Sequence, residues 1–177
     1  MSADAQKYSR IIEQYKDLAY SIALKITKNP QDAEEIVQDA FVKAFRGMHA
    51  FRGESQFSSW FYRIVYNTAL SSVRRKKLPL SPLEDWVERP DASLSNRTSL
   101  EMDHKDRRFY LRQALEKLSI LDFTLLSLYY YEDMSLGEIA EIIGKKRNYM
   151  KVLMQRARKK LYNALDESVK EELKDLL

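Results

Sequence analysis

Residues 135–161, SLGEIAEIIGKKRNYMKVLMQRARKKL, decide the fold of the second half of the chain. Ser135 and Glu138 stand at capping-box spacing, so the serine can accept from an early amide while the glutamate reaches back. Apolar residues at 139, 140, 142 and 143 give the first helix one buried face, and Gly144 readily adopts a left-handed stop. The pattern predicts a short helix, a glycine turn and a second helix. This is the layout of a helix-turn-helix, whose second helix enters the major groove of DNA.

The predicted second helix has an apolar face and a basic face. Its apolar residues recur at helical spacing and can pack on the first helix: Met150, Met154, Ala157 and Leu161. No acid occurs between 145 and 160, and the residues predicted to face outward are Asn148, Lys151, Val152, Gln155, Arg156 and Lys159. Lysine and arginine suit phosphate or guanine, glutamine and asparagine suit adenine, and valine suits the thymine methyl group. DNA binding is therefore predicted, and a solvated basic helix without a partner is the alternative.

The composition favours a helical protein of the cytoplasm. Of 177 residues, 45% are hydrophobic, and only 4 glycines and 4 prolines are present, which disfavours a turn-rich β fold. The net charge is +4 from 30 basic and 26 acidic residues, so the clustering of charge matters more than its total. The absence of cysteine excludes disulfides and thiol chemistry. Residues 1–6 lack signal-peptide features and no apolar stretch approaches membrane-spanning length, so we expect no membrane insertion and a cytoplasmic location.

Helical periodicity in the first half predicts three helices. The first covers residues 5–28, and Asn29 with Pro30 then provides an N-cap and a first helical position. The second helix ends near Arg46 and Gly47. The third covers residues 57–77; it is aromatic at its start and ends in a run of four basic residues, 74–77.

The helical pattern is lost after residue 77. Three prolines and an excess of acids mark residues 78–104 as a flexible linker, because so long a loop is unusual inside a compact domain. Helices at 105–117 and 120–131 precede the helix-turn-helix, and residues 166–177 are expected to continue the last helix. We therefore predict an all-α fold of two small helical domains, 1–77 and 105–177, joined by the linker.

Several segments resemble the extracytoplasmic-function (ECF) subfamily of bacterial sigma-70 family sigma factors. Residues 32–41, DAEEIVQDAF, and 51–67, FRGESQFSSWFYRIVYN, are similar to sigma region 2. Residues 135–143 and 155–161, QRARKKL, are similar to region 4. The resemblance implies a helical region 2 bundle and a region 4 helix-turn-helix bundle, in a protein that binds core RNA polymerase and directs promoter-specific initiation.

The resemblance also implies protein partners. These are core RNA polymerase, through its β′ coiled coil and β flap, and an anti-sigma factor that holds such proteins inactive. The surface implied for polymerase is one face of the second helix, a face that suits docking on another helix: Asp32, Glu35, Gln38, Asp39, Val42 and Lys43. Judged on the residues alone, an ordinary solvated face is the favoured interpretation, and the resemblance reverses this preference.

Promoter DNA is the other implied partner, and region 2 would melt and hold its −10 element. A flipped base needs a hydrogen-bond reader and a stacking surface, which the resemblance assigns to Asn67 and Phe51. Arginines of the same region would hold strand phosphates. The full implied set is Phe51, Arg52, Gly53, Trp60, Arg63, Asn67, Arg74 and Arg75. Core packing is the alternative for Trp60 and the neighbouring aromatic residues.

Region 4 would recognise the −35 element through the outward face of the second helix. The implied residues are Arg147, Asn148, Lys151, Val152, Gln155, Arg156 and Lys159. Residues 145–149, KKRNY, depart from the apolar and small residues usual at this point in the family, and Val152 replaces a small polar residue. Phosphate binding is therefore expected, while the preferred −35 sequence is not set by the resemblance.

Two other functional classes compete with this interpretation. Glu101 and His104 have the Glu-x-x-His spacing of helical di-iron sites, but such sites need a second motif and two further glutamates. The only other histidine, His49, has arginine rather than glutamate three residues before it. We therefore expect no catalytic residue, metal or cofactor. The other competitor is a helix-turn-helix regulator that acts without polymerase, and it has no need of the 51–67 motif.

Overall fold

The computed structural model describes residues 3–48, 51, 56–77 and 104–165. Within these ranges all regular structure is helical, as predicted, with seven α-helices and one 3-10 turn at Arg147–Tyr149. The α-helices are α1 Ala3–Thr27, α2 Pro30–Gly47, α3 Phe57–Lys77, α4 His104–Glu116, α5 Ile120–Tyr131, α6 Leu136–Ile143 and α7 Met150–Ala164. The predicted linker lies outside the described residues except for its last position, 104, which begins α4.

Helices α1–α3 share one core that is closed by alanines and aromatic rings. Alanines 19, 23, 40 and 44 are fully buried and allow close approach of α1 and α2. The Phe41 and Phe61 rings stack with centroids 4.6 Å apart. The start of α2 is fixed locally, because the Asn29 side chain accepts from the Asp32 amide and Pro30 occupies the first turn. The packing therefore holds α2 and α3 in fixed register.

Helices α4–α7 form a second core with strongly capped helix starts. Ser119 caps α5, and at α6 the predicted capping box is present with both of its hydrogen bonds, between Ser135 and Glu138. Gly144 ends α6 in the left-handed conformation at φ 68° and ψ 37°. Buried side chains from α5, α6 and α7 fill the interior: Leu125, Leu126, Leu128, Ile139, Met150, Met154 and Leu161. These local signals confirm the predicted helix-turn-helix.

The last helix differs from its prediction at both ends. Lys145 and Lys146 are not helical, and a 3-10 turn precedes α7, which begins at Met150. The left-handed Gly144 and the extended backbone of Lys146, at ψ 133°, delay the restart of the helix. The predicted continuation beyond 165 is wrong at its first step, because Leu165 adopts ψ 149° and turns its side chain into the core. Residues 166–177 lie outside the described residues.

The two groups of helices pack against each other. Helix α3 lies against α6, and α1 lies against α5. The sequence predicted two domains on a flexible linker and left their placement open. We call the surface along which α1–α3 contact α4–α7 the seam. No helix in the described ranges has both the length and the hydropathy that a membrane span requires.

Candidate nucleic-acid interface

The outward face of α7 and of the turn before it carries the predicted −35 residues. All of these side chains are exposed: Arg147, Asn148, Lys151, Val152, Gln155, Arg156 and Lys159. On the opposite face Met150, Met154, Ala157 and Leu161 are buried as predicted, and Leu153 joins them at 8% exposure. A basic and polar surface therefore stands on a rigidly packed helix, which is the arrangement that groove binding needs.

Arg156 is held by a residue that the sequence did not indicate. Its Nη1 donates to Tyr149 Oη at 2.8 Å, and its guanidinium carbon lies 5.9 Å from the centroid of the Tyr149 ring. The two side chains are seven positions apart, which places them on the same side of α7 two turns from each other. The ring of Tyr149 itself is 42% exposed.

Arg147 lies against α6. Its guanidinium pairs with the Glu141 carboxylate through Nη2 and Oε1. The same guanidinium passes within 3.6 Å of the point where a Cβ on Gly137 would stand. Arg147 is thus directed toward an acid in this structure, although 70% of its side chain remains accessible.

The predicted −10 residues are spread along α3 and the loop before it. The Phe51 and Trp60 rings pack at a tilt of 33° with centroids 5.1 Å apart, and both rings are half-buried. Phe57 meets Trp60 edge-on at 5.8 Å, so these aromatic residues form a small, half-buried cluster. Asn67, Arg74 and Arg75 are exposed on α3, while Arg52 and Gly53 lie outside the described residues.

Arg63, also predicted for −10 DNA, instead contacts the other half of the chain. Its Nε and Nη2 donate to the Glu141 carbonyl oxygen at 3.2 and 3.1 Å, and Nη2 lies 3.4 Å from the Glu141 carboxylate. Carbonyls in the last turn of a helix lack helical partners and carry partial negative charge. Arg63 therefore caps the C-terminal end of α6, and Glu141 contacts Arg63 and Arg147 together.

Further polar contacts between described residues cross the seam. Ser59 Oγ donates to Glu138 Oε1 at 2.9 Å, and Tyr62 Oη donates to Glu132 Oε1 at 2.7 Å. Lys25, from α1, donates to the Glu116 carbonyl oxygen at 2.7 Å and so caps α4 as Arg63 caps α6. Basic side chains of the first half thus satisfy two helix ends of the second half.

The seam perturbs the ionisation of its acids. Burial raises the pKa of Glu132 above its usual range, an effect that the Tyr62 hydrogen bond only partly offsets. Burial also raises the pKa of Tyr62, so this phenol stays protonated and acts as the donor. Hydrogen bonds from Ser135 lower the pKa of Glu138, which therefore acts as a charged acceptor.

The predicted polymerase-binding face of α2 is exposed for five of its six residues. Glu35, Gln38, Asp39 and Lys43 are exposed, and Val42 is an apolar side chain with 45% exposure. Asp32 departs from this pattern, because its carboxylate pairs with Lys76 from α3 and is only 20% exposed. Lys43 Nζ also donates to Thr68 Oγ1 at 3.2 Å. Most of the face is therefore open to a protein partner.

In the described parts of the chain, no three potential metal ligands come together. Glu101 and His49, weighed above as ligands, lie outside those parts.

Comparison with known proteins identifies the family. The protein-family model named Sigma-70 region 2 matches residues 11–78, and the family model named Sigma-70, region 4 matches residues 108–161. RNA polymerase sigma factor SigV of Bacillus subtilis is 33% identical over 84% of this chain and 84% of its own length. ECF RNA polymerase sigma factor SigW of the same organism is 27% identical over 98% and 92%. The chain belongs to the ECF subfamily of sigma-70 family sigma factors. Like the family, this sigma factor directs RNA polymerase to promoters, and the regulator acting without polymerase is not favoured.

Solved structures share the fold of this sigma factor. The sigma factor RpoE of Bartonella quintana, in complex with the anti-sigma factor NepR, superposes with a TM-score of 0.62. It has 19% sequence identity, over 90% of this chain and 96% of its own. CnrH, in complex with the cytosolic domain of CnrY, gives a TM-score of 0.57 at 18% identity, over 91% and 88% of the two chains. The helical arrangement is thus one already found in sigma factors.

Proposed function

We propose that the two halves of this sigma factor divide promoter recognition between them. Residues 1–77 form the region 2 unit for core polymerase and the −10 element, and residues 105–177 form the region 4 unit for the −35 element. Residues 78–104 join the two units. The single observation that carries this proposal is the exposed basic and polar face of α7, carried on a helix whose other face is fully packed.

On α7, the proposed roles follow from side-chain chemistry. Gln155 and Arg156 are proposed to bind base edges, and Val152 to contact a thymine methyl group. Lys151 and Lys159 provide positive charge for phosphates, so their contribution weakens as salt rises. Arg147 and Asn148 stand in the turn before α7 and are proposed as contacts at the edge of the site.

For the −10 element, we propose that the half-buried aromatic cluster of Phe51, Phe57 and Trp60 receives bases of the melted strand. Stacking on Phe51 or Trp60 suits any base, because every base has a π-face. Asn67 would read one base edge. Positive charge along α3 from Arg63, Arg74 and Arg75 would follow the strand, and Arg52 and Gly53 are proposed contacts of the loop.

The proposed protein contacts use the α2 face. Core polymerase would dock on it through the β′ coiled coil, and the β flap would hold the region 4 unit. The polymerase supplies the chemistry of RNA synthesis, so we assign this chain no catalytic residue, metal or cofactor. Its place of action is then the cytoplasm. An anti-sigma factor is a proposed partner because RpoE and CnrH, which share this fold, were each solved in complex with another protein.

Run-off transcription with purified core polymerase tests the division of labour. Templates carry randomised −35 and −10 segments, and transcribed templates are sequenced to define the promoter. On the selected promoter, Arg156→Ala is expected to weaken closed-complex binding by about 1–3 kcal/mol, the energy of a specific base contact. Asn67→Ala is expected to slow strand opening instead.

Lys117→Ala is the matched control, because it removes an exposed positive charge from the turn after α4, outside both proposed sites. It is expected to change neither step. Equal effects of Arg156→Ala and Asn67→Ala on both steps contradict the proposed division. No promoter-specific transcript with the wild-type chain contradicts the whole assignment.

A further inference from the structure

Tyr149, directly before α7, and Arg156, on α7, are already paired in the absence of DNA. The hydrogen bond from Arg156 Nη1 to Tyr149 Oη is 2.8 Å long, and the guanidinium also lies beside the ring. An arginine on a solvated helix otherwise samples many rotamers, and fixing such a side chain on binding carries an entropic cost. A neighbouring side chain that already holds the arginine, here Tyr149, lowers that cost.

The geometry of the pair leaves the guanidinium able to read a base. The bond to Tyr149 uses Nη1, at one end of the planar group. The edge formed by Nε and Nη2 is the fork that matches two acceptors, such as O6 and N7 of guanine in the major groove. Tyr149 thus orients Arg156 without occupying this edge.

We propose that Tyr149 is a positioning residue for Arg156 and sets how strongly this sigma factor prefers guanine at one base pair of the −35 element. The proposal rests on the proposed function of α7. Tyr149 ends the 3-10 turn that precedes α7, so the pair joins this turn to the outward face of the helix.

Binding selection with the holoenzyme tests this proposal. The full chain is assembled with core polymerase and offered a duplex library with a randomised −35 segment, and bound DNA is sequenced. The wild type is expected to show one position whose guanine preference disappears in Arg156→Ala. Tyr149→Phe keeps the ring but removes the hydroxyl, and is expected to reduce that preference about 2- to 10-fold, the range of one hydrogen bond. Other positions should not change.

The matched control is Tyr131→Phe, which removes a hydroxyl from a tyrosine with 66% exposure on α5. It is expected to leave every position unchanged. An unchanged preference in Tyr149→Phe, or an equal loss at all positions, overturns the positioning role. If Arg156→Ala changes no position, the proposed function of Arg156 fails and the positioning role fails with it. If Arg156→Ala has an effect and Tyr149→Phe has none, the proposed base contact of Arg156 stands and only the positioning role of Tyr149 is overturned.

A second inference rests on different contacts, those of Glu141. This acid binds Arg63 through its carbonyl oxygen and carboxylate, and it binds Arg147 through the other carboxylate oxygen. Both arginines belong to the proposed DNA contacts, one for each promoter element. A single acid on α6 therefore neutralises a cation from each half of the chain.

The proposed DNA contacts of Arg63 and Arg147 require their contacts with Glu141 to break. The −35 and −10 elements are centred 25 base pairs apart, which at 3.4 Å per pair is about 85 Å along the duplex. Two arginines that share one carboxylate cannot reach sites so far apart. The packed arrangement across the seam is therefore incompatible with simultaneous contact to both elements.

We infer that Glu141 acts as an internal competitor of DNA and holds the free chain in a form with low promoter affinity. Assembly with polymerase separates the two halves, and both arginines then become available to phosphate. Charge and geometry support this role, because Glu141 offers each arginine the acceptor oxygens that a DNA phosphate offers.

The test compares Glu141→Gln in the free chain and in the holoenzyme. Fluorescence anisotropy measures binding to the promoter duplex selected above. Loss of two exposed ion pairs is expected to raise the affinity of the free chain about 2- to 10-fold. The affinity of the holoenzyme should not change, because the seam is already open there.

Glu13→Gln is the matched control, since it removes the same charge from an exposed ion pair with Lys16 on α1. An equal rise in Glu13→Gln, or an equal rise in the holoenzyme, shows a general charge effect and overturns the inference. No rise in the free chain overturns it as well.

Discussion

Removal of the Tyr62 hydroxyl should open the seam. The side chain is fully buried, and Oη donates to Glu132 Oε1 at 2.7 Å. Tyr62→Phe keeps the ring and its packing but leaves the Glu132 carboxylate without this donor. The wild type and Tyr62→Phe therefore differ mainly in one hydrogen bond between the two halves of the chain.

The size of the effect follows from the chemistry of that bond. A hydrogen bond to a charged group contributes about 1.5–3 kcal/mol when neither group can reach water. Glu132 is only partly buried, so water replaces part of the lost interaction and about 1 kcal/mol remains. Because 1.4 kcal/mol is a factor of ten, the ratio of open to packed molecules should rise about fivefold.

Energy transfer between two dyes measures this ratio. The chain contains no cysteine, so Gln14→Cys on α1 and Asn163→Cys on α7 give two unique labelling sites on exposed positions. Tyr62→Phe is expected to lower the transfer efficiency of the free chain. The matched control is Tyr66→Phe, one helical turn later on α3, where a buried tyrosine hydroxyl contacts no acid across the seam. Equal transfer in the wild type and in Tyr62→Phe would refute the reasoning, as would an equal fall in both variants.

Two acids that are shielded from solvent to different degrees, Glu132 and Asp122, give testable effects on stability. The folded-state pKa of Glu132 is raised above the ordinary value of 4.5, so folding binds protons and the free energy of unfolding should fall as pH rises above that value. Glu132→Gln keeps an acceptor for Tyr62 without the charge, and urea titrations at pH 5 and 7 should show a larger stabilising effect at pH 7; a pH-independent difference would contradict this. Asp122, 2% exposed, accepts from Ser119 and Lys160, so Asp122→Ala should lower the free energy of unfolding by about 2 kcal/mol. Chemical denaturation measures this, with Asp39→Ala, which removes an exposed acid from the middle of α2, as the control that should show little change.

The parts of the fold that sequence predicts are those whose signals are local. Ser135, Glu138 and Gly144 lie within ten residues of one another, and each specifies its own turn of backbone. The start of α7 was not predicted correctly because Tyr149, its N-cap, makes no capping hydrogen bond that a sequence pattern could indicate. The outward face of α7 was predicted because helical spacing alone determines it.

The seam was not predictable in the same way. Tyr62 and Glu132 are 70 residues apart, and Arg63 and Glu141 are 78 apart. Glu138 shows the difficulty most clearly: its spacing from Ser135 predicts a capping role, which one carboxylate oxygen fulfils, while the other oxygen binds Ser59. A residue with one evident role gives no sign of a second one. The assignments to polymerase and to −10 DNA likewise stay predictions, since they depend on partners.

Helix α5 links the two halves in a way that bears on how the chain melts. It packs against α6 and α7 on one side and against α1 on the other, and Lys25 of α1 caps the neighbouring α4. Heating that loosens α5 therefore removes support from both cores at once. We expect the free chain to give one calorimetric transition, with a van't Hoff enthalpy equal to the measured enthalpy. In the open form that we infer for the holoenzyme, each half should melt as its own cooperative unit.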